Sequence, residues 1–490
     1  VAIKEILKFS FVFDKLSLSM AMLALFMAIA ISIFSLDYVE KKQGKERRFF
    51  VLSPWMFCVF SCMALFSGDW FFFGVFLEMS SIMLFFMILP LNFRTALYYL
   101  LTQLSGSLLI FVGAAIMITE RGSAVMGPVP PHLLWLFLSG LGIKTALLGL
   151  HFWLPKVHSE APTPTSALLS GFSVKLGIYG LIRLASLPAT DVLMVLGPSM
   201  ALYGIIQAIT QHDAKRLLAY HTISQLGYIV SAIGTGTALG IVAGVYHTVA
   251  HGLFKGLLFL CIGSIEKAYG TRDLRLLGHG TARAFPVAFV LFLVGALAIS
   301  GFPGMSGFAS KAMIKASLKE ISFYPVVWIL QAANVGTVLS FCKLGYYGFF
   351  FKGDVVRKDP HYNPLLSCKK RIFQDTGMAL LAFMTIFLGI CPQLLPNFMG
   401  MNFGNFFETE ALLSAIIPIF TGGILFIVFK KTLTPGKHEI YDLDFLLIKL
   451  YGILILCPTI VVKIHTGKLR QYIIHVIIAA LVIFFFLART

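Results

Sequence analysis

The sequence predicts an all-α polytopic membrane protein of about fifteen transmembrane helices, two of them broken, with inverted internal repeats. Three observations predict it. Of 490 residues, 58% are hydrophobic and only 12% charged, roughly half the charge of a soluble domain. The apolar residues form many continuous runs near the ~20 residues that cross a bilayer. Those runs do not alternate, which argues against a membrane barrel, and a helix satisfies its own backbone groups in lipid.

In order, the spans fall at 11–36, 49–67, 70–90, 96–118, 132–158, 166–186, 192–210, 217–234, 239–264, 285–320, 326–350, 375–394, 409–430, 444–462 and 471–488. The fifth is broken near Pro155 and the tenth near the glycine-rich 301–307. The net charge is +17, but the cations sit in short loops rather than on a folded domain, so they fit anionic headgroups and not a nucleic acid. Lys41, Lys42, Lys45, Arg47 and Arg48 follow the first span; Arg94, Lys215, Arg216, Lys267, Arg272, Arg275 and Arg283 fall on the same side. So do Lys352, Arg357, Lys358, Lys369, Lys370 and Arg371, provided 285–320 is one broken helix. The basic side is then cytoplasmic and the protein an inner-membrane one. The organisation predicted is N-terminal helices over 1–69, a first ion-translocating repeat over 70–186, a second over 192–350, and C-terminal helices over 375–490. The seven cysteines show no metal or disulfide spacing and read as apolar fillers. The chain opens with valine close to a span, and no signal peptide is assigned.

Charges inside apolar runs are the candidate functional residues, because burial in a membrane is costly unless it is used. Glu78 lies midway through the third span and Lys144 in the fifth. Burial disfavours an ammonium and a nearby carboxylate favours it, so a lysine between these influences can take up and release a proton as the carboxylate moves. The competing reading is a structural ion pair. Lys175 lies midway through the sixth span, while Arg183 near its end reads as snorkelling. His151 and His158 bracket Pro155, and Glu160 with Pro162 is either part of the site or a connector cap. Tyr220, His221 and Ser224 open the eighth span, with packing polarity as the alternative. His247, His251 and Lys255 are four apart and share one helix face; a metal would need further ligands, and a hydrogen-bonded seam is the bland alternative. Lys311 follows the second break as a second version of the Lys144 arrangement. Together Glu78, Lys144, Lys175, His247, His251, Lys255 and Lys311 predict a polar axis through the membrane.

These residues carry a resemblance. HFWLPKVHSEAPTPTSALLSGFSVKLGIYGLIRL over 151–184, AYHTISQLGY over 219–228, HGLFKGLLFLCIGSI over 251–265 and GFPGMSGFASKAMI over 301–314 resemble the antiporter-like subunits of respiratory complex I, Mrp-type sodium/proton antiporters and membrane-bound hydrogenases. The resemblance spans roughly residues 10–395. It implies that Glu78 pairs with Lys144 on a broken helix, that Lys175 and Lys311 are further stations, and that His247 and His251 lie between them with Lys255. Two N-terminal helices of the family's usual fourteen have no counterpart here, and the three last spans are an extension with a packing role, Lys449 and Lys463 snorkelling at span ends.

The function expected is a proton-translocating subunit of a complex I-like or hydrogenase-like membrane complex, with homologous membrane subunits and peripheral redox subunits as partners. The sequence has no dinucleotide fingerprint, iron–sulfur spacing or haem motif, so no cofactor or metal is expected and redox chemistry is left to partners. The alternative is a subunit of a sodium/proton antiporter, with Thr145, Ser166, Ser170 and Ser173 as oxygen ligands. A scaffold without transport is the third reading, weakened by the buried titratable series.

Overall fold

The computed structural model describes residues 10–39, 44–185, 189–278, 280–351 and 371–436. The expected spans 444–462 and 471–488, Lys41, Lys42, Lys449, Lys463 and the basic residues at 352–370 lie outside the described residues. What is described is α-helical: ten helices are long and apolar enough to cross a membrane.

The first four helices are α1 (Lys15–Tyr38), α2 (Gly44–Phe66), α3 (Trp70–Ile88) and α4 (Phe93–Arg121). Side-chain caps start three of them. Asp14 and Ser17 form a reciprocal capping box on α1, Asp69 accepts from the first amides of α3, and Asn92 accepts from Thr95 on α4.

The first broken helix is α5 (Leu134–Thr145) followed by α6 (Trp153–Glu160). The break lies ahead of Pro155, correcting the expected position. Pro155 falls in the first turn of α6, where a missing amide costs nothing. The chain turns instead at Ala146, a left-handed non-glycine residue (φ 59°, ψ 50°), and at Gly149 (φ 87°). Trp153 donates its indole N–H to the Ile143 carbonyl at 2.9 Å, satisfying one of the acceptors that the break leaves open.

Next come α7 (Thr163–Leu168), a π-helical turn (Leu169–Ser173) and α8 (Val174–Leu184), which together form one span. Then follow α9 (Ala189–Thr210), α10 (Ala214–Gly234) and α11 (Ala238–Tyr269). α10 is not among the ten apolar spans, because its sequence carries Lys215, His221, Thr222, Ser224 and Gln225; all five are buried in protein rather than facing lipid. α11 is the centre of the fold: 94% of its most apolar stretch is buried, and it packs on α10, α7, the π-turn, α13, α14 and α16.

After a short α12 (Thr281–Ala284), the second broken helix is α13 (Pro286–Ser300) and α14 (Ser306–Glu320). Gly301 ends α13 with φ 78°, the conformation that favours glycine as a helix stop. α15 (Tyr324–Phe349), α16 (Ile372–Ile390), α17 (Leu394–Met399) and α18 (Thr409–Phe429) complete the described chain. α18 is peripheral, with only 17% of its apolar stretch buried.

Two basic residues assigned to loop ends or edges are not free there. Lys215 is buried, pairs with Glu266 at 2.5 Å and donates to the Ala161 carbonyl at 2.9 Å. Arg183 pairs with Asp14 at 2.6 Å and donates to the Tyr179 hydroxyl at 2.9 Å, tying the end of α8 to the start of α1.

Candidate functional site

Glu78 and Ser81 stand one turn apart on α3, facing Lys144 in the last turn of α5. Lys144 Nζ donates to Glu78 Oε2 at 2.9 Å and to Ser81 Oγ at 3.2 Å, and Ser107 Oγ of α4 donates to the same Glu78 oxygen at 2.7 Å. Both charged side chains are nearly removed from solvent, 2% exposed for Lys144 and 10% for Glu78. The position of Lys144 follows from the break: a cation beside the carbonyl end of a half-helix is favoured by the helix dipole.

Lys175 lies on α8 immediately after the π-turn. Its ammonium group donates to the Ser170 carbonyl, within the π-turn, where the backbone departs from the α-helical ladder. Lys255 on α11 likewise ends on a main-chain oxygen, that of Leu218. These two lysines are joined by a side-chain chain: Ser170 Oγ and Thr222 Oγ1 are 2.7 Å apart, and Thr222 donates to the Leu218 carbonyl at 3.2 Å. Gly177 brings the Lys175 helix against the Lys144 break. A Cβ placed there would lie 2.8 Å from the Thr145 backbone nitrogen.

His247 and His251 stack in parallel, ring centroids 6.2 Å apart. His247 reaches Ser310 Oγ through Nδ1 at 2.8 Å and Gln225 Oε1 through Nε2 at 3.2 Å. Among the described residues both ring nitrogens of His251 have no hydrogen-bond partner, as do those of His158, which stacks on Phe259 with ring centroids 4.6 Å apart. Glu78 Oε1, Thr145 Oγ1 and His221 Nδ1 are unpartnered too. Buried polar atoms are nearly always paired, and unpartnered ones also occur away from this row, at Ser61, Gln103 and Gln393 among others.

Lys311 on α14 reaches back over the second break. Its Nζ donates to the Ile299 carbonyl at 2.5 Å and to Asn334 Oδ1 at 2.7 Å, while Asn334 Nδ2 holds the Ser300 carbonyl at 3.1 Å. Its ammonium lies 5.0 Å from the centre of the Tyr228 ring. The two breaks therefore differ from the sequence expectation of two like arrangements. Lys144 precedes its break and meets a carboxylate; Lys311 follows its break and meets carbonyl oxygens and an amide.

Glu160 accepts from Asn92 Nδ2 at 2.8 Å and from Thr95 Oγ1. It sits at the positive end of α4, the connector-cap arrangement. Of the oxygens considered for sodium, Ser170 is committed to Thr222 and Ser166 donates to the His158 carbonyl at 3.2 Å. Among the described residues no group of three or more His, Cys, Asp or Glu side chains is placed to hold a metal ion. Sequence reasoning missed Ser107, Thr222, Gln225, Ser310 and Asn334. Asn334 was legible, as one of two amides, with Gln331, in an apolar run; the hydroxyls were not, since serine and threonine are common in such helices.

The family described as NADH:quinone oxidoreductase/Mrp antiporter, TM, matches residues 67–340. The chain belongs to that family. A second family, described as NADH-Ubiquinone oxidoreductase (complex I), chain 5 N-terminus, matches residues 6–50. Every candidate residue from Glu78 to Lys311 lies within the first match. This Mrp antiporter/complex I family chain is 30% identical to hydrogenase-4 component B of Escherichia coli over 384 residues, 69% of this chain and 56% of that one. It thus spans little more than half of that relative. It is 28% identical to a Na(+)/H(+) antiporter subunit of Alkalihalophilus pseudofirmus over 357 residues, 67% of this chain and 72% of that one. A chain of the membrane-bound sulfane sulfur reductase, an archaeal respiratory membrane complex, shares the fold with a TM-score of 0.74 at 20% identity, covering 96% of this chain and 89% of that one.

Proposed function

We propose that this antiporter-like subunit moves protons through the membrane within a multisubunit redox complex, along Glu78, Lys144, Lys175, Lys255, His251, His247 and Lys311. The observation that carries the reading is the contrast in partners. Lys144 has a carboxylate at 2.9 Å, whereas the ammonium groups of Lys175, Lys255 and Lys311 end on neutral oxygens. A charge held in low dielectric without a counter-charge is costly, and a neutral amine keeps its packing there. These positions therefore suit a charge that is present briefly and passed on. Motion of Glu78 toward or away from Lys144 is the means by which a partner subunit injects energy into the row.

On this reading 70–186 and 192–350 are two inverted repeats, each with one broken helix. α10 and the two broken helices are crossings added to the ten apolar spans. The basic loops face the cytoplasm of a prokaryotic cell, and the remaining partners are homologous membrane subunits and peripheral redox subunits. Lys144→Ala abolishes coupled transport in sealed vesicles while the complex still assembles; normal pumping by that variant refutes the central role.

The likeness to a protein named as part of a sodium/proton antiporter supports a second reading, in which sodium is exchanged for the proton. Transport measured at fixed pH with sodium removed decides between them: an unchanged rate excludes sodium as a coupled ion, and a lost rate excludes the proton-only reading.

A further inference from the structure

Beyond Lys311, α14 carries Lys315 and Lys319 at four-residue spacing, so the three cations line one face from the break to the last turn of the helix. Lys315 is held by α18: its Nζ donates to Ser414 Oγ at 2.9 Å and to the Ser414 carbonyl at 3.1 Å. One turn earlier on α18, the exposed Glu410 pairs with the half-buried Lys319. Two cavities meet at Lys315. The small one, about 10 Å³, is lined by Lys311, Asn334, Lys315 and Ser414, which is room for about one water molecule. The larger one, about 490 Å³, is lined by Lys315, Lys319, Tyr324, Gln331, Glu410 and Ser414.

We propose that Lys315 is a further relay residue, the neck between the Lys311 site and the outward cavity, and that Ser414 of α18 is its gate. The inference rests on the proton-translocation reading of Lys311. One proton leaves the Lys311 ammonium for the water between the lysines, that water gives a proton to the Lys315 amine, and Lys315 releases one to the larger cavity. No electrons move, and both lysines end neutral. The groups that set the balance are Lys311 and Lys319 on α14, Tyr324 on α15, and Glu408 and Glu410 at the start of α18.

The packing of α18 suits a gate. Near Gly422 it touches α15 closely: a Cβ there would lie 2.6 Å from Val338 Cβ and 2.7 Å from the Val335 carbonyl. Near Ser414 it is held by polar contacts, with Gln331 Nε2 donating to the Ser414 carbonyl at 3.1 Å beside the Lys315 bonds. Such contacts exchange for water at small cost, so the Ser414 end parts before the Gly422 end does.

The test uses the full complex in sealed vesicles under an imposed membrane potential, with proton movement read by a pH dye. Lys315→Gln keeps a donor for Ser414 but cannot carry a proton, and its transport is expected to fall about tenfold or more. Lys315→His restores transport at acidic pH and loses it as pH rises past about 7. Wild-type rate and pH profile in Lys315→Gln, with Lys144→Ala inactive, overturn the Lys315 role; normal transport in Lys144→Ala overturns the parent reading instead. If Lys315→Gln does not assemble, Ala312→Cys, which lines both cavities, reports the neck. Its labelling by 2-aminoethyl methanethiosulfonate, above the wild-type background, is expected to speed several-fold when Ser414→Ala is added. Equal rates with and without that change overturn the gate.

Discussion

Gly177 sets the distance between the first break and the Lys175 helix, so Gly177→Ala tests whether that distance matters. The added Cβ would press hardest on Thr145 Oγ1, and would lie 2.8 Å from the Thr145 backbone nitrogen and 3.1 Å from the Lys144 carbonyl carbon, against 3.4 Å for ordinary contact. The Thr145 side chain can turn away; its backbone nitrogen cannot. Relief therefore moves α8 and the end of α5 apart by about 0.6 Å, the difference between 3.4 and 2.8 Å. Overpacking of this kind costs about 1–3 kcal/mol, while alanine gains about 1 kcal/mol over glycine inside a helix, leaving a net loss of about 0–2 kcal/mol. Transport is hit harder, because a displacement near 1 Å between groups that exchange a proton slows transfer by up to about 100-fold. The assays are thermal unfolding of the detergent-solubilised complex and proton uptake by vesicles. Adding Thr145→Ala removes the shortest contact and recovers part of both. A Gly177→Ala variant with unchanged melting temperature and unchanged transport refutes the claim that the two lysine sites are coupled through this contact.

Other outcomes follow from the same geometry. Glu78→Gln leaves the buried Lys144 without its anion, costing about 3–5 kcal/mol if the charge stays and stopping transport; Glu78→Gln with Lys144→Met recovers the melting temperature but not transport, and recovery of transport sinks the pair's role. His251→Phe removes two unpaired ring nitrogens, each costing about 1–3 kcal/mol to bury, so the complex becomes more heat-resistant while transport falls; normal transport makes His251 a packing residue. Asn334→Asp supplies the counter-charge that Lys311 lacks, and transport falls because the proton is held; Asn334→Leu also lowers it by removing the bonds to Lys311 and Ser300. Equal, normal rates in both Asn334 variants refute the role of that amide.

Much of the site was legible because charge in an apolar run is rare and expensive. Glu78, Lys144, Lys175, Lys255 and Lys311 are visible on that ground alone, and the four-residue spacing from His247 to Lys255 fixes a shared face. The pairing of Glu78 with Lys144, 66 residues apart in sequence, rests on two buried charges that each need a partner and is what the family resemblance also implies; periodicity carries no information across helices. The first break was misplaced for a physical reason: proline is costly inside a helix but free in its first turn, so Pro155 marks a start. The turn itself uses Ala146 in a left-handed conformation, which no local pattern announces. Lys215 read as a loop residue because it stands at a helix start, yet α6 and α11 cover it with the Ala161 carbonyl and Glu266. Lys315 was in plain sight four residues after Lys311, but its partner lies on α18, where Ser414 looks like any serine.

The two breaks hold their lysines differently, and on the proposed reading that difference gives the row a direction. At the first, an anion at 2.9 Å stabilises the charged form of Lys144, and removing that anion by even a few ångströms changes the energy of the ammonium by several kcal/mol at an effective dielectric near 20. At the second, neutral oxygens stabilise Lys311 without matching its charge, so its energy depends on the charges along the row and much less on its own bonds. On the proposed reading, energy put in by moving Glu78 is expressed at the far end as repulsion between neighbouring cations. An arrangement with a carboxylate at every station would trap the charge at each, and one with none would load no charge at all. One anion at the loading end and, among the described residues, neutral oxygens at Lys175, Lys255 and Lys311 is the arrangement that, on the proposed reading, loads and then expels.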